Sequence, residues 1–355
     1  MKEALLGRTP QELKEIAQRY GLPAFAGAQM ARWLYVSRVS SIEEMTNLSK
    51  TGREVLAQDY EVGLIRPVES FTSVDGTRKY LFPTSVEGKY VETVMIPEYS
   101  GGVQDEPSRA TVCVSSQVGC KMNCAFCMTG RGGFHGHLST AEILSQFIAI
   151  DESSILTNAV FMGMGEPMDN WTNLKRALEV ITADWGFAWS PKRVTVSTVG
   201  VIPTLKEFLE GSRCHLAVSM HNPFPRERAS LMPVEKAYGI KDVVELIRHY
   251  DFTGQRRVSF EYTMFAGVND SKQHSDAIVH LLKGMECRVN LIRFHSIPDS
   301  PLRTSTPEVM EAFKTRLCNA GIVTTVRASR GEDIMAACGL LAGRGLEKRK
   351  KQTNI

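Results

Sequence analysis

Three cysteines, Cys120, Cys124 and Cys127, fall within eight residues of this chain, in the stretch GCKMNCAFCMTG. The spacing is C-x3-C-x2-C, with Phe126 directly before the last thiol. Three thiolates this close can hold one soft metal centre. An iron–sulfur cluster usually takes four cysteines, so a set of three leaves one metal position open for a substrate or cofactor. A structural disulfide needs a partner thiol and an oxidising compartment, which suits an odd cluster badly. Zinc is the competing reading, with His135 or His137 as fourth ligand, but zinc ligands usually come as two separated couples and no second couple is present.

Four further stretches carry groups that could line a site. Gly163-Met164-Gly165-Glu166-Pro167 combines glycines, which let backbone approach a ligand, with a carboxylate that can accept from an ammonium group. Ser197-Thr198-Val199-Gly200, Ser219-Met220-His221 and His295 bring hydroxyl and imidazole groups. Taken singly, each reads as ordinary turn chemistry. Their common placement after strand-like runs gives them weight as a set.

The elements that must position these groups follow from periodicity. The first 65 residues read as a small helical module. Thr9-Pro10-Gln11-Glu12 is a capping box with proline at the first helical position. A second helix runs from Ala28 through Trp33, Leu34 and Val36, and a third from Ser41 to Asp59 with Leu48, Val55 and Leu56 inward. Residues 66–108 are β-rich, a pair of hairpins punctuated by Asp75-Gly76 and Glu87-Gly88 and followed by a polar loop. Over residues 109–343 strands alternate with helices: Ala110–Ser115, Ala159–Met164, Val194–Thr198, His215–Ser219, Arg257–Thr263, Arg288–Phe294 and Val323–Ala328. Ser139-Thr-Ala-Glu142 caps one helix, and Thr306-Pro307-Glu308 opens the last, which Gly321 ends. Repeated βα units imply an α/β fold with a parallel sheet, a partial or complete barrel, whose sites gather at the C-terminal strand ends. The cysteine triad follows the first such strand. Residues 344–355 are a basic tail.

Composition sets outer bounds. The chain has 355 residues, 43% of them hydrophobic and 23% charged, with a net charge of +3, which is ordinary for a globular chain. No apolar run approaches a membrane span and the N-terminus lacks a signal core, so a cytoplasmic protein with no membrane association is expected.

Five stretches, CVSSQVGCKMNCAFCMTG, GMGEPMDN, VTVSTVG, HLAVSMHNP and RGEDIMAACG, resemble in this order the RlmN/Cfr family of radical S-adenosylmethionine (SAM) RNA methyltransferases. The resemblance covers about residues 10 to 343 and implies a radical SAM partial βα barrel with an N-terminal helical module and a β-hairpin extension. It implies a [4Fe–4S] cluster on Cys120, Cys124 and Cys127. It implies SAM, two per turnover, bound by Gly165, Glu166, Ser197, Ser219, Met220, His221 and His295. Where many members carry asparagine this chain has His295, which keeps the capacity to hydrogen-bond. Cys338 matches the methyl-carrying cysteine, Cys113 the resolving cysteine and Glu92 the proton acceptor. The implied partners are 23S rRNA, tRNA and an electron donor such as flavodoxin or ferredoxin, acting on a monomer. Candidate phosphate contacts are Arg32, Lys50, Arg53, Arg131 and the basic tail. The motifs do not separate methylation at adenine C2 from methylation at C8. A radical SAM activase would share the triad without pairing Cys113 with Cys338.

Overall fold

The computed structural model describes residues 2–99, 107–252, 254 and 256–343. The basic tail and most of the loop before Pro107 lie outside the described residues. The N-terminal module is tied by a short parallel pair, β1 (Glu3–Ala4) against β2 (Tyr60–Glu61). Helix α1 (Pro10–Arg19) starts at the expected capping box: the Thr9 hydroxyl accepts from the Glu12 amide at 3.2 Å, and the Glu12 carboxylate accepts from the Thr9 amide at 2.7 Å. Leu13, Ile16 and Ala17 form its buried face.

Two expectations for this module need correction. Helix α2 (Ala26–Arg32) does not run on as α-helix. It widens into a π turn over Trp33–Ser37 and stops at Arg38, which sits in the left-handed region with φ 56°. The expected helix from Ser41 to Asp59 is broken in two. Ser41 and Glu44 close their own capping box on the 3-10 turn Ile42–Glu44, and Ser49 then starts α3 (Lys50–Asp59) by accepting from the Gly52 amide. Each serine hydroxyl competes for amides that a continuous helix would need. Leu48 and Leu56 are buried as expected, and Val55 is half-buried.

All seven expected strands of the core form; six match their predicted ends within two residues, and the strand expected over Ala159–Met164 stops three residues early, at Phe161. They belong to one ten-stranded sheet together with the hairpin strands. Strands β3 (Glu69–Thr72), β4 (Arg78–Pro83) and β5 (Tyr90–Glu98) make an antiparallel meander. Strand β5 then pairs antiparallel with β6 (Arg109–Cys113), the first core strand. A small antiparallel pair follows, β7 (Gln117–Gly119) with β8 (Phe134–His137), and it encloses α4 (Met128–Arg131). The remaining strands, β9 (Asn158–Phe161), β10 (Val194–Thr198), β11 (His215–Ser219), β12 (Val258–Met264), β13 (Arg288–Arg293) and β14 (Val323–Val326), run parallel to β6 and to one another. β14 and β3 are the two edges, so the sheet stays open as a partial barrel.

The connecting helices are α5 (Thr140–Ile148), α6 (Trp171–Thr182), α7 (Ile202–Gly211), α8 (Pro225–Leu231), α9 (Ile240–Arg248), α10 (Lys272–Leu282) and α11 (Pro307–Asn319). The Ser139–Glu142 capping box opens α5, and Thr306 caps α11. Among the described residues, no helix is long and apolar enough to cross a membrane.

Candidate active site

The cysteine triad lies where the barrel logic puts it, in the loop between β7 and α4 at the C-terminal end of β6. Gly119 makes the close approach that forms this loop. Its φ is 77°, and a Cβ there would fall 1.7 Å from the Gly133 carbonyl oxygen. The Cys120 amide donates to that same carbonyl at 3.0 Å, and the Cys127 amide donates to the Cys124 carbonyl at 3.1 Å. Phe126 packs edge-on against the His221 imidazole, centroids 4.8 Å apart, and against Phe265.

All three thiols line one cavity of about 160 Å³. Burial and mutual charge repulsion push Cys120 up to about 12, and Cys124 well above the usual thiol range. Left alone, these groups stay protonated; a cationic metal centre is what would hold them as thiolates. Among the described residues no three His, Cys, Asp or Glu side chains close on a single-ion shell. His135 bonds to the Gly132 carbonyl and His137 to Gln117, and neither lines the cavity. With neither His135 nor His137 at the cavity, the zinc reading loses the fourth ligand expected for it, and three thiols with one metal position open fit an iron–sulfur centre.

The opposite walls come from the strand ends. Gly163, Gly165 and Glu166 follow β9, Ser197 ends β10, Ser219 and His221 end β11, and His295 follows β13; all line the cavity with the thiols. Met220 is the exception among the expected residues. It is fully buried in the core behind the wall. Glu166 accepts from the Val199 amide at 3.0 Å and the Met168 amide at 3.1 Å. Even so, burial pushes its carboxyl up to about 7, so a cationic ligand is needed to favour the ionised form. His221 sits at φ 52°. Its Nδ1 accepts from the Thr263 amide at 2.9 Å, and its carbonyl accepts from Asn269. Burial and the Arg228 charge push the imidazole down to about 3, so it is neutral and offers Nε2–H to the cavity. His295 accepts or donates at Ser329, with Nε2 3.1 Å from the hydroxyl.

A second cavity of about 630 Å³ occupies the barrel interior and is lined by Cys113, Cys127 and Cys338. Cys338 also lines the first cavity, so it stands where the two meet. Cys113, at the end of β6, is buried, and burial together with charge on Cys338 pushes it up to about 12. Cys338 is exposed, and both thiols are free. The segment carrying Cys338 is pinned from two sides. The Gly339 carbonyl accepts from the Met128 amide at 2.9 Å, and the Leu341 carbonyl from the Thr129 hydroxyl at 2.7 Å, which ties it to the cysteine loop. The meander ties the other side: Gly331 donates to Asp75, and Asp333 accepts from the Ser73 hydroxyl.

Glu92 belongs to that second set of ties. It is fully buried and lines neither cavity. Its carboxylate accepts from the Ala342 amide at 2.9 Å and lies 3.5 Å from the Lys79 ammonium, which itself donates to the Ile334 carbonyl at 2.6 Å. The pair therefore brackets the Cys338 segment.

Several residues that sequence reasoning passed over complete the site. Arg228, fully buried on α8, donates to the carbonyls of Val199, Ser219 and Met220 and pairs with Glu235, clamping the ends of β10 and β11. Gln117 accepts from the Glu166 amide at 2.8 Å. Arg327 and Glu261, 3.6 Å apart, line both cavities beside Cys338. Arg327 directly follows β14, a placement that could have flagged it, whereas Glu261 lies mid-strand in β12 and carried no such signal. Of the expected phosphate contacts, Arg32 and Lys50 are exposed, Arg53 donates to the Glu43 carbonyl, and Arg131 donates to the Pro298 carbonyl.

An open parallel barrel with a cysteine triad at its mouth is the architecture of a radical SAM enzyme, and the model of the radical SAM superfamily matches residues 114–277. That superfamily implies SAM and a [4Fe–4S] cluster. The model of the ribosomal RNA large subunit methyltransferase N-terminal domain matches residues 4–62. The chain is 52% identical over 353 residues to a probable dual-specificity RNA methyltransferase RlmN of Porphyromonas gingivalis, covering 99% of this chain and 97% of the relative. It is 54% identical to the corresponding protein of Parabacteroides distasonis, over 96% and 97% of the two chains. It is 38% identical to a dual-specificity RNA methyltransferase RlmN of Marinobacter nauticus, over 97% and 93%. A crystal structure of a radical SAM methyltransferase from Sphaerobacter thermophilus superposes with a TM-score of 0.88 at 36% identity, over 96% of this chain and 100% of that one. The chain belongs to the RlmN family of radical SAM RNA methyltransferases.

Proposed function

We propose that this chain methylates C2 of a specific adenosine in 23S rRNA at the peptidyl-transferase centre, and the adenosine 3′ of the anticodon in tRNA. The single observation that carries the reading is the convergence of Cys338 and Cys113 on one cavity beside the triad. C2 of adenine is an electron-poor amidine carbon with no lone pair to attack a sulfonium methyl, so direct polar transfer is unfavourable. A thiolate is a good nucleophile toward such a methyl.

Cys120, Cys124 and Cys127 would hold the cluster, and Glu166, Ser197, Ser219, His221 and His295 would hold SAM. Bound there, the two groups supply methyl transfer from one SAM and, from a second, a 5′-deoxyadenosyl radical for hydrogen abstraction. Cys338, the exposed thiol, accepts the methyl group. Its carbon, less one hydrogen atom, then bridges the Cys338 sulfur and C2. The bridged adduct, left with one unpaired electron, gives the C2 proton to water and gives up the electron, which a cluster held by Cys120, Cys124 and Cys127 would take up; Glu92 lines neither cavity and acts through the Cys338 segment. As Cys113 loses its proton, its sulfur attacks the Cys338 sulfur and breaks the sulfur–carbon bond; the carbon leaves with the bonding pair and takes up a proton to become the methyl group of the freed RNA, and a Cys113–Cys338 disulfide remains. An external dithiol reduces it by exchange.

The buried, protonated state of Cys113 supports this order, since a resolving thiol must not compete for the first methyl. The helical module over residues 4–62 grips the folded RNA, and the target base is flipped out of its stack. The enzyme works as a cytoplasmic monomer with flavodoxin or ferredoxin as electron donor. The test is anaerobic incubation with SAM and unmethylated rRNA, then nucleoside digestion and mass spectrometry. 2-Methyladenosine is expected; 8-methyladenosine would transfer the chain to the Cfr-type reaction.

A further inference from the structure

The end of the barrel opposite the cysteine triad carries a third hollow, of about 500 Å³. Arg109, Lys192, Arg193, Arg257 and Arg288 line it together with His215, and among the described residues no carboxylate does. They gather there because the N-terminal ends of the parallel strands meet there. Arg109 opens β6, His215 opens β11 and Arg288 opens β13, while Arg193 and Arg257 directly precede β10 and β12. All five cations are exposed, and among the described residues none forms an ion pair with a carboxylate. Their field is felt locally: burial, then the charges of Arg257 and Lys192, push His215 down to about 4.

Five like charges around one hollow repel one another, which a fold tolerates where an anionic partner compensates. The hollow is also continuous with the reaction cavity, because Arg109, Val160, Thr195, Ser259 and Asn290 line both. Four residue steps along β6 lead from Arg109 to Cys113, roughly 13 Å at strand rise. A single phosphate would need a compact nest of donors. A rim of separate cations joined by a polar throat suits a chain of phosphates.

We infer that this basic hollow binds the phosphodiester backbone of the RNA strand flanking the adenosine presented to Cys338. The inference rests on the RNA-methyltransferase reading and adds to it a grip at the N-terminal ends of the core strands.

The test compares the cluster-loaded enzyme with K192Q/R193Q and R257Q/R288Q, on two separate pairs of elements, and with K206Q/K314Q as a control for net charge. Affinity for a fluorescent single-stranded RNA oligonucleotide is followed across salt, beside KM and kcat for methylation and RNA-independent SAM cleavage. Each test variant should lower the salt slope by roughly 1.4, about 0.7 for each phosphate that is no longer neutralised. Each should raise KM for RNA about tenfold or more at physiological salt, with SAM cleavage kept and the control unchanged. An unchanged slope and KM in both test variants, with methylation intact, overturns the inference alone. Weakened RNA binding in both, from a parent that forms no methyladenosine, upholds it and defeats the reaction assigned above. A parent that binds no RNA defeats both.

Discussion

Lys79→Met probes how the catalytic cysteine is held in place. Lys79 is 1% exposed and Glu92 0%, with 3.5 Å between ammonium and carboxylate. Lys79 also holds the Ile334 carbonyl, and Glu92 holds the Ala342 amide, so the pair spans both ends of the segment that carries Cys338. Removing the ammonium takes a cation from 3.5 Å beside a buried carboxylate and a donor from the Ile334 carbonyl. Breaking a buried pair in this way costs about 3–5 kcal/mol, a large part of a typical total of about 5–15 kcal/mol. At an m-value near 3 kcal/mol/M the urea midpoint should fall by about 1 M or more. The double variant K79M/E92L replaces the pair by apolar groups and should recover most of the stability. Tryptophan fluorescence during urea unfolding reads the midpoint, and peptide mass spectrometry reads methylation of Cys338. In K79M that methylation should fall far more than SAM cleavage, because the triad and the SAM wall belong to other elements. A K79M midpoint within about 0.2 M of the parent, with Cys338 methylated normally, would refute the bracket.

Three further outcomes follow from the site. Cys113→Ala should stall after carbon–carbon bond formation, and denaturing gels should show RNA held covalently to the protein at Cys338. Burial pushes Glu166 up to about 7, so in the ligand-free enzyme it is protonated below that pH. SAM binding, which needs the carboxylate, should weaken as pH falls below 7, by up to about tenfold per unit, and E166Q should bind weakly with a flat profile. Cys113, pushed up to about 12, is only about one part in ten thousand thiolate at pH 8, whereas Cys338 is exposed. Timed iodoacetamide labelling should therefore modify Cys338 well before Cys113.

What could be read from the sequence was what local chemistry decides. The Thr9 and Ser139 capping boxes depend on side chains three residues apart, and both helices start there. The core strands are runs rich in β-branched residues ending in turn groups, so their order and the place of the triad followed. The same local rule, applied again, would have split the expected Ser41–Asp59 helix, since Ser41-Ile-Glu-Glu44 is itself a capping box. The Lys79–Glu92 pair was not legible. In the strand register Lys79 faces Val94 and Glu92 faces Leu81, so the two meet only diagonally. Their burial also comes from a segment some 250 residues further on. Arg228 was hidden for a similar reason: a charged residue on a short helix reads as solvated until three strand-end carbonyls close around it.

The central claim is that carbon reaches RNA by way of Cys338. Single-turnover reaction with methyl-deuterated SAM, followed by peptide mass spectrometry, tests it most directly. The account predicts deuterated methyl on Cys338 before RNA is added, and then a methyladenosine that has lost one of those deuterons. Deuterated methyl passing intact to RNA, with Cys338 unmodified at every time point, would contradict it.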